Sequence, residues 1–294
     1  MRKMANQFSG IFPALITPYG RDGKINETAL SQLVKMNLEK GVSGFFVGGS
    51  SGEAFLLTLE ERKYILEIVA QEAKGRAAII AHIGCISTEQ AMELARHAAD
   101  VGADAISSVP PFYYKFTMDE LQSYYLDIVS EVSLPMIVYH VPALTDVALS
   151  NENLERLLAD PRIVGVKYTS FDLFQMQRMA AKHPDKFVLN GYDEVFLGAL
   201  AMGAKGAIGS TINVMADKFV RIQRLFNEGK LEEAYAVQEE ANKVIEVLIK
   251  IGVFQGVKAI LEMMGISCGN CRKPFRNLKD EEKDILRNVF NFLK

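Results

Sequence analysis

Two side chains of complementary chemistry end two similar apolar runs. Lys167 closes Ile163-Val164-Gly165-Val166, and Tyr139 closes Pro135-Met136-Ile137-Val138. A Val/Ile-rich run of this length reads as a parallel strand buried on both faces, so each polar group falls at a strand's carboxyl end, where barrels keep their reactive groups. Water is scarce there. Desolvation disfavours the ammonium form, and the neutral amine that results can attack a carbonyl and form a Schiff base. A tyrosine beside it carries both a donor and an acceptor, so it can move a proton to or from a substrate hydroxyl. Strand-end lysines also cap sheets or pair with carboxylates, and a tyrosine can simply close a barrel core, so the pair gains meaning only from what else reaches the same rim.

Several further groups follow apolar runs. Gly48-Gly49-Ser50-Ser51-Gly52-Glu53 offers backbone N-H groups and two hydroxyls around a small anion, for which a carboxylate is suited, although such a segment also serves as an ordinary glycine-rich turn. Gly191-Tyr192-Asp193-Glu194 puts adjacent carboxylates after the seventh run. Consecutive side chains diverge, so this pair suits gripping hydroxyls from two directions better than sharing a proton, while a solvated helix start is the plainer alternative. Thr169 follows the lysine closely, and Ser210 with Thr211 ends the eighth run. Together these groups would line a hydroxyl-binding mouth around one amine.

The elements that must position them alternate. Eight short apolar runs are separated by segments of helical period, the pattern of βα units around a parallel sheet. The runs are Gly10 to Ile16, Gly44 to Val47, Ala78 to Ile83, Ala105 to Val109, Pro135 to Val141, Ile163 to Tyr168, Phe187 to Leu189 and Ala207 to Ile208. Beyond about residue 215 the strand signal stops, and Lys230 to Ile251, Gly256 to Met264 and Lys279 to Leu293 read as helices. The expectation is a (β/α)8 TIM barrel over 1–215 with a C-terminal helical extension over 216–294 packed on it as one structural unit. An open doubly wound sheet is the alternative, but no Gly-x-Gly-x-x-Gly turn follows the first run.

Composition bounds the partners. With 294 residues, 49% hydrophobic and 23% charged, the chain has the balance of a globular enzyme-sized fold. A net charge of −3 leaves no basic excess for phosphates, so nucleic acid is not an expected partner. No apolar stretch approaches the length of a membrane span, and Met1 to Gln7 carries charge without the apolar core of a signal peptide, so a cytoplasmic location is expected. Cys85, Cys268 and Cys271 form no disulfide framework. Cys268-Gly269-Asn270-Cys271 has the spacing of half a zinc site, but no second pair exists and the four histidines are scattered, so no metal is expected.

With these motifs in view, the chain resembles the pyruvate-dependent aldolase family of dihydrodipicolinate synthases and N-acetylneuraminate lyases over nearly its whole length. The markers are Gly48 to Glu53 as the family's Gly-x-[Ser/Thr]-[Ser/Thr]-Gly-Glu loop, Tyr139 to Pro142 as its Tyr-x-x-Pro segment, and Lys167 as its Schiff-base lysine. The lyase branch fits better. Synthases resembling this chain place an arginine soon after Tyr-x-x-Pro for a second substrate carboxylate, where this chain has Ala143-Leu144-Thr145, and leucine makes no bidentate contact. Phe112-Tyr113-Tyr114 and Cys271-Arg272-Lys273-Pro274-Phe275 are also lyase-like.

The resemblance implies a Schiff-base aldolase that needs no cofactor and reversibly cleaves N-acetylneuraminate, a sialic acid, into N-acetylmannosamine and pyruvate. It implies Lys167 as the imine-forming nucleophile and Tyr139 as the proton-transfer group, with Ser50 and Tyr113 completing a relay. Ser50 and Ser51 would hold the pyruvate carboxylate, and Thr169, Gly191, Asp193, Glu194 and Ser210 the sugar's hydroxyls and amide. In relatives the tyrosine matching Tyr113 comes from a neighbouring subunit, which makes a homotetramer the expected assembly. Asp146, Ser51 and Ile212 depart from residues frequent in lyases. A 2-keto-3-deoxy sugar acid aldolase would keep the chemistry and change the substrate. A non-catalytic binder of sialic acid or pyruvate is the alternative of a different class.

Overall fold

A computed structural model of the protein describes residues 8–293. The charged segment Met1 to Gln7, weighed above as a signal peptide, lies outside the described residues. Eight parallel strands are present: β1 (Gly10–Pro13), β2 (Gly44–Val47), β3 (Ala78–His82), β4 (Ala105–Ser108), β5 (Met136–His140), β6 (Ile163–Tyr168), β7 (Phe187–Asn190) and β8 (Gly206–Gly209). Their order runs β1-β8-β7-β6-β5-β4-β3-β2. The ring closes between β1 and β2, where Ser43 N donates to Ile11 O at 2.9 Å and Leu15 N to Phe46 O at 3.0 Å. With helices alternating outside, the fold is the expected (β/α)8 barrel.

Burial on both strand faces explains the unbroken apolar runs. In β1 and β2, Phe12 and Phe46 point into the lumen, while Ile11, Phe45 and Val47 face the helices. The lumen is filled by large rings, so it is a packed core whose upper end alone is open to chemistry. The first run is shorter than its apolar pattern, since Ala14 keeps only an isolated bridge to Phe46 before the chain turns away. The seventh and eighth strands are longer than their apolar centres, because Asn190 and the glycines Gly206 and Gly209 also join the ladder.

The helices begin where side chains satisfy their first N-H groups. Thr58 with Glu61, and Thr117 with Glu120, form reciprocal capping boxes before Leu59–Ala73 and Met118–Glu131. Residue 215 falls inside helix Ile212–Asn227, which follows β8 and is kinked at Met215. Helices Leu231–Ile251, Val253–Met263 and Asp280–Leu293 form the extension. Among the described residues, no helix is long and apolar enough to cross a membrane.

Candidate active site

Lys167 and Tyr139 stand directly opposite one another in the β5/β6 ladder. That register depends on an irregularity. Met136 pairs with Ile163 but Ile137 with Gly165, so β6 carries one extra residue, and an unbroken ladder would have set Tyr139 against Val166. The shift brings both polar side chains to the same side of the barrel top. The Lys167 amine lies 4.0 Å from the Phe46 ring centroid and 3.9 Å from that of Tyr139. Burial among these rings lowers its pKa to about 7, against a smaller opposing pull from the Asp193 carboxylate. About half the amine is then neutral at pH 7, against roughly one part in three thousand for a solvated lysine.

Tyr139 is 4% exposed, and burial raises its phenol above the ordinary range. The Ser50 and Thr169 hydroxyls lie against that phenol and partly offset the rise. Thr169 Oγ1 is buried with the Tyr139 phenol as its polar neighbour. Gly191 makes room for it, because a Cβ there would sit 1.7 Å from Thr169 Oγ1.

The loop after β2 is held from three sides. Gly48, at φ +71, turns the chain into the short 3-10 turn Ser50–Gly52. Its carbonyl faces His82 Nδ1 at 2.8 Å, and burial with the nearby Arg62 and Lys167 charges keeps that imidazole neutral. A neutral ring with a carbonyl on Nδ1 carries its proton there, so Nδ1-H donates. Ser51 Oγ and Ser210 Oγ are 2.6 Å apart and join this loop to the end of β8. Glu53 is turned away from the mouth, with Oε1 accepting from Lys258 Nζ at 2.6 Å and Oε2 from Arg272 N at 2.7 Å. Both members of that ion pair are fully buried. The motif's glutamate therefore anchors the loop to the extension, leaving the hydroxyls and N-H groups for an anion.

On the opposite side, Asp193 Oδ2 accepts from Thr211 N at 2.8 Å and Thr211 Oγ1 at 2.7 Å, while Oδ1 is buried without a partner. Burial raises this carboxyl to about 6 despite those hydrogen bonds. The carboxylate occupies space that any side chain at position 209 would fill, since a Cβ on Gly209 would lie 1.5 Å from Oδ1. Glu194 is half-buried, and burial raises its carboxyl too. Their turn is clamped by helix Leu231–Ile251, where Gln238 Nε2 donates to Asp193 O and Asn242 Nδ2 to Glu194 O.

The structure therefore gathers Lys167, Tyr139, Ser50, Ser51, Thr169, Gly191, Asp193, Glu194 and Ser210 at one end of the barrel. Tyr113 is not among them. At φ +78 and 81% exposed, it projects from the loop after β4 with its ring edge-on to that of Tyr114. Asp146 sits at φ +55, a conformation aspartate tolerates, and pairs with Lys115 in solvent. Ile212 is fully buried in the outer core, so it does not face the mouth. Leu144 is exposed and lines a cavity of about 300 Å³ with Ser50, Phe112, Thr145 and Phe275. The supporting residues His82, Lys258, Gln238 and Asn242 carry no motif of their own. The sequence places His82 in the apolar run Ala78 to Ile83 and the other three in expected helices, without marking them as parts of the site.

The model of the dihydrodipicolinate synthetase family matches residues 7–292. The chain belongs to that family. Within it, the N-acetylneuraminate lyase of Rhizobium meliloti (strain 1021) is 45% identical over 283 residues, covering 96% of this chain and 94% of its own. The N-acetylneuraminate lyase from Fusobacterium nucleatum complexed with pyruvate superposes with a TM-score of 0.95 at 36% identity and covers 100% of both chains. A catalytic lysine mutant of the Ruminococcus gnavus sialic acid aldolase gives a TM-score of 0.95 at 31% identity, over 98% of this chain and 96% of that one.

Proposed function

We propose that the protein is an N-acetylneuraminate lyase working through an imine on Lys167. The observation that carries this reading is the buried amine, lowered to about 7 and in register with Tyr139. Neutral Lys167 attacks the C2 ketone of the open-chain sugar, and loss of water gives a protonated imine. Tyr139 takes the C4 hydroxyl proton as its own phenol proton passes on to Ser50 and the substrate carboxylate, the C3-C4 bond breaks, and its electron pair passes into the iminium to give an enamine. N-acetylmannosamine leaves as the aldehyde. Protonation of the enamine at C3 and hydrolysis of the imine then release pyruvate and the free amine.

Ser50 and Ser51 hold the pyruvate carboxylate in this reading, and Ser50 relays the proton that Tyr139 carries. Thr169, Gly191, Asp193, Glu194 and Ser210 take the aldehyde half. Asp193 Oδ1, buried without a partner, supports this, because it keeps hydrogen-bonding capacity for a hydroxyl or amide. Leu144 in place of an arginine disfavours a second substrate carboxylate. Tyr113 completes the relay only from a second copy of the chain, in a homotetramer of a cytoplasmic enzyme.

Pyruvate release from N-acetylneuraminate, read by coupled reduction to lactate, tests the assignment. Lys167→Ala is expected to abolish release, and Tyr139→Phe to keep borohydride-trappable imine while losing most cleavage. Release unchanged in Lys167→Ala overturns the mechanism. A trapped pyruvate adduct without release moves the assignment to a shorter keto-deoxy acid.

A further inference from the structure

Phe171 and Tyr192 stack at the rim with ring centroids 4.4 Å apart and planes 16° apart. They follow β6 and β7, the strands that end in Lys167-Tyr168 and Asn190. Phe171 is 62% exposed, so the pair presents aromatic surface to solvent. Tyr192 is fixed from below, since its carbonyl accepts from Asn190 Nδ2 at 2.6 Å. Its phenol is near enough to Glu194 to feel that carboxylate's charge, and near enough to Tyr139 to raise that phenol slightly. The Tyr192 ring is thus a neighbour of both an acid of the mouth and the proton-transfer phenol, and Phe171 stacks on it.

Resting on the reading above, the aldehyde half of the substrate carries several hydroxyls and one apolar group, the methyl of its N-acyl substituent. Asp193, Glu194 and Ser210 supply carboxylates and a hydroxyl, which match the hydroxyls of that half. The aromatic pair offers the methyl a surface of its own kind. We propose that the Phe171–Tyr192 stack is the wall that recognises the N-acyl group, with Tyr192 in contact with it and Phe171 as the positioning residue that holds the Tyr192 ring in place. The site then selects N-acylated amino sugars over the corresponding plain sugars through this wall.

The test runs the reaction in the condensing direction, with pyruvate and either N-acetylmannosamine or mannose. Removing one apolar contact from a specificity pocket is worth roughly tenfold in discrimination. Phe171→Ala is therefore expected to lower the ratio of kcat/KM for N-acetylmannosamine over mannose by about tenfold, through KM for the acylated sugar. Phe171→Tyr, which preserves the stack, should restore the wild-type ratio. The rate of borohydride trapping of pyruvate should not move, because the stack lies beyond the carboxylate loop. An unchanged ratio overturns the wall, and so does an equal loss on both sugars or one accompanied by a change in oligomer size. Wild-type enzyme that traps pyruvate yet condenses with neither sugar refutes the functional reading itself, and the wall with it.

Discussion

Replacing Lys167 by methionine should make the protein more stable while destroying its chemistry, and the gain should depend on pH. The amine titrates at 10.5 in water and at about 7 in the barrel, a difference worth about 5 kcal/mol against the charged form. That difference is already net of the smaller attraction to the Asp193 carboxylate, so a gain of about 5 kcal/mol is expected, equivalent to about 10 °C in Tm for a chain of this size. The folded pKa is depressed, so the penalty in the wild type is full below about 7, shrinks as pH rises from 7 towards 10.5, and vanishes above. Thermal unfolding of both proteins from pH 6 to pH 10 measures it. A Tm difference that stays flat over that range, or a methionine variant less stable at pH 6, would refute the desolvation argument on which the reactive amine rests.

The rate of borohydride trapping with pyruvate should climb as pH rises through about 7 and then level, whereas a midpoint near that of free lysine would contradict the burial of the amine. The affinity for N-acetylneuraminate should fall as pH drops through about 6, where Asp193 takes up a proton, and Asp193→Asn should remove that dependence in a KM profile. Gly209→Ala forces a methyl onto Asp193 Oδ1, so KM for the sugar should rise at least tenfold. Pyruvate trapping should survive in the same variant. Lys258→Met leaves Glu53 buried without its cation and should cost about 3–5 kcal/mol in denaturant melts, most of it recovered in the Glu53→Gln/Lys258→Met double variant.

Strand positions were legible because a parallel strand buried on both faces must be apolar throughout, and nothing else in the chain shows such short, dense runs. The reactive pair was legible for the same reason, since a lysine and a tyrosine interrupt those runs at their ends. The extra residue in β6 was not. Val164-Gly165-Val166 looks regular, and only the pairing with β5 shows that the ladder slips by one and so aligns Lys167 with Tyr139. The role of Glu53 was not legible for another reason, since the loop motif names the residue without naming its partner. Its partner Lys258 lies 205 residues away, in a helix whose pattern reports only amphipathicity. Tyr113 is seen clearly in the sequence, yet a single chain leaves it in solvent.

The Glu53–Lys258 contact also sets an order of events during synthesis. The loop that carries Ser50 and Ser51 leaves the ribosome early, and its glutamate waits for a cation encoded 205 residues later. Until helix Val253–Met263 and Arg272 arrive, the carboxylate can only stay in water, and the loop cannot settle over the barrel top. The barrel's own strands and helices end at Asn227, well before Lys258 in sequence. The anion pocket is therefore expected to be ordered only once Lys258 and Arg272 have been made.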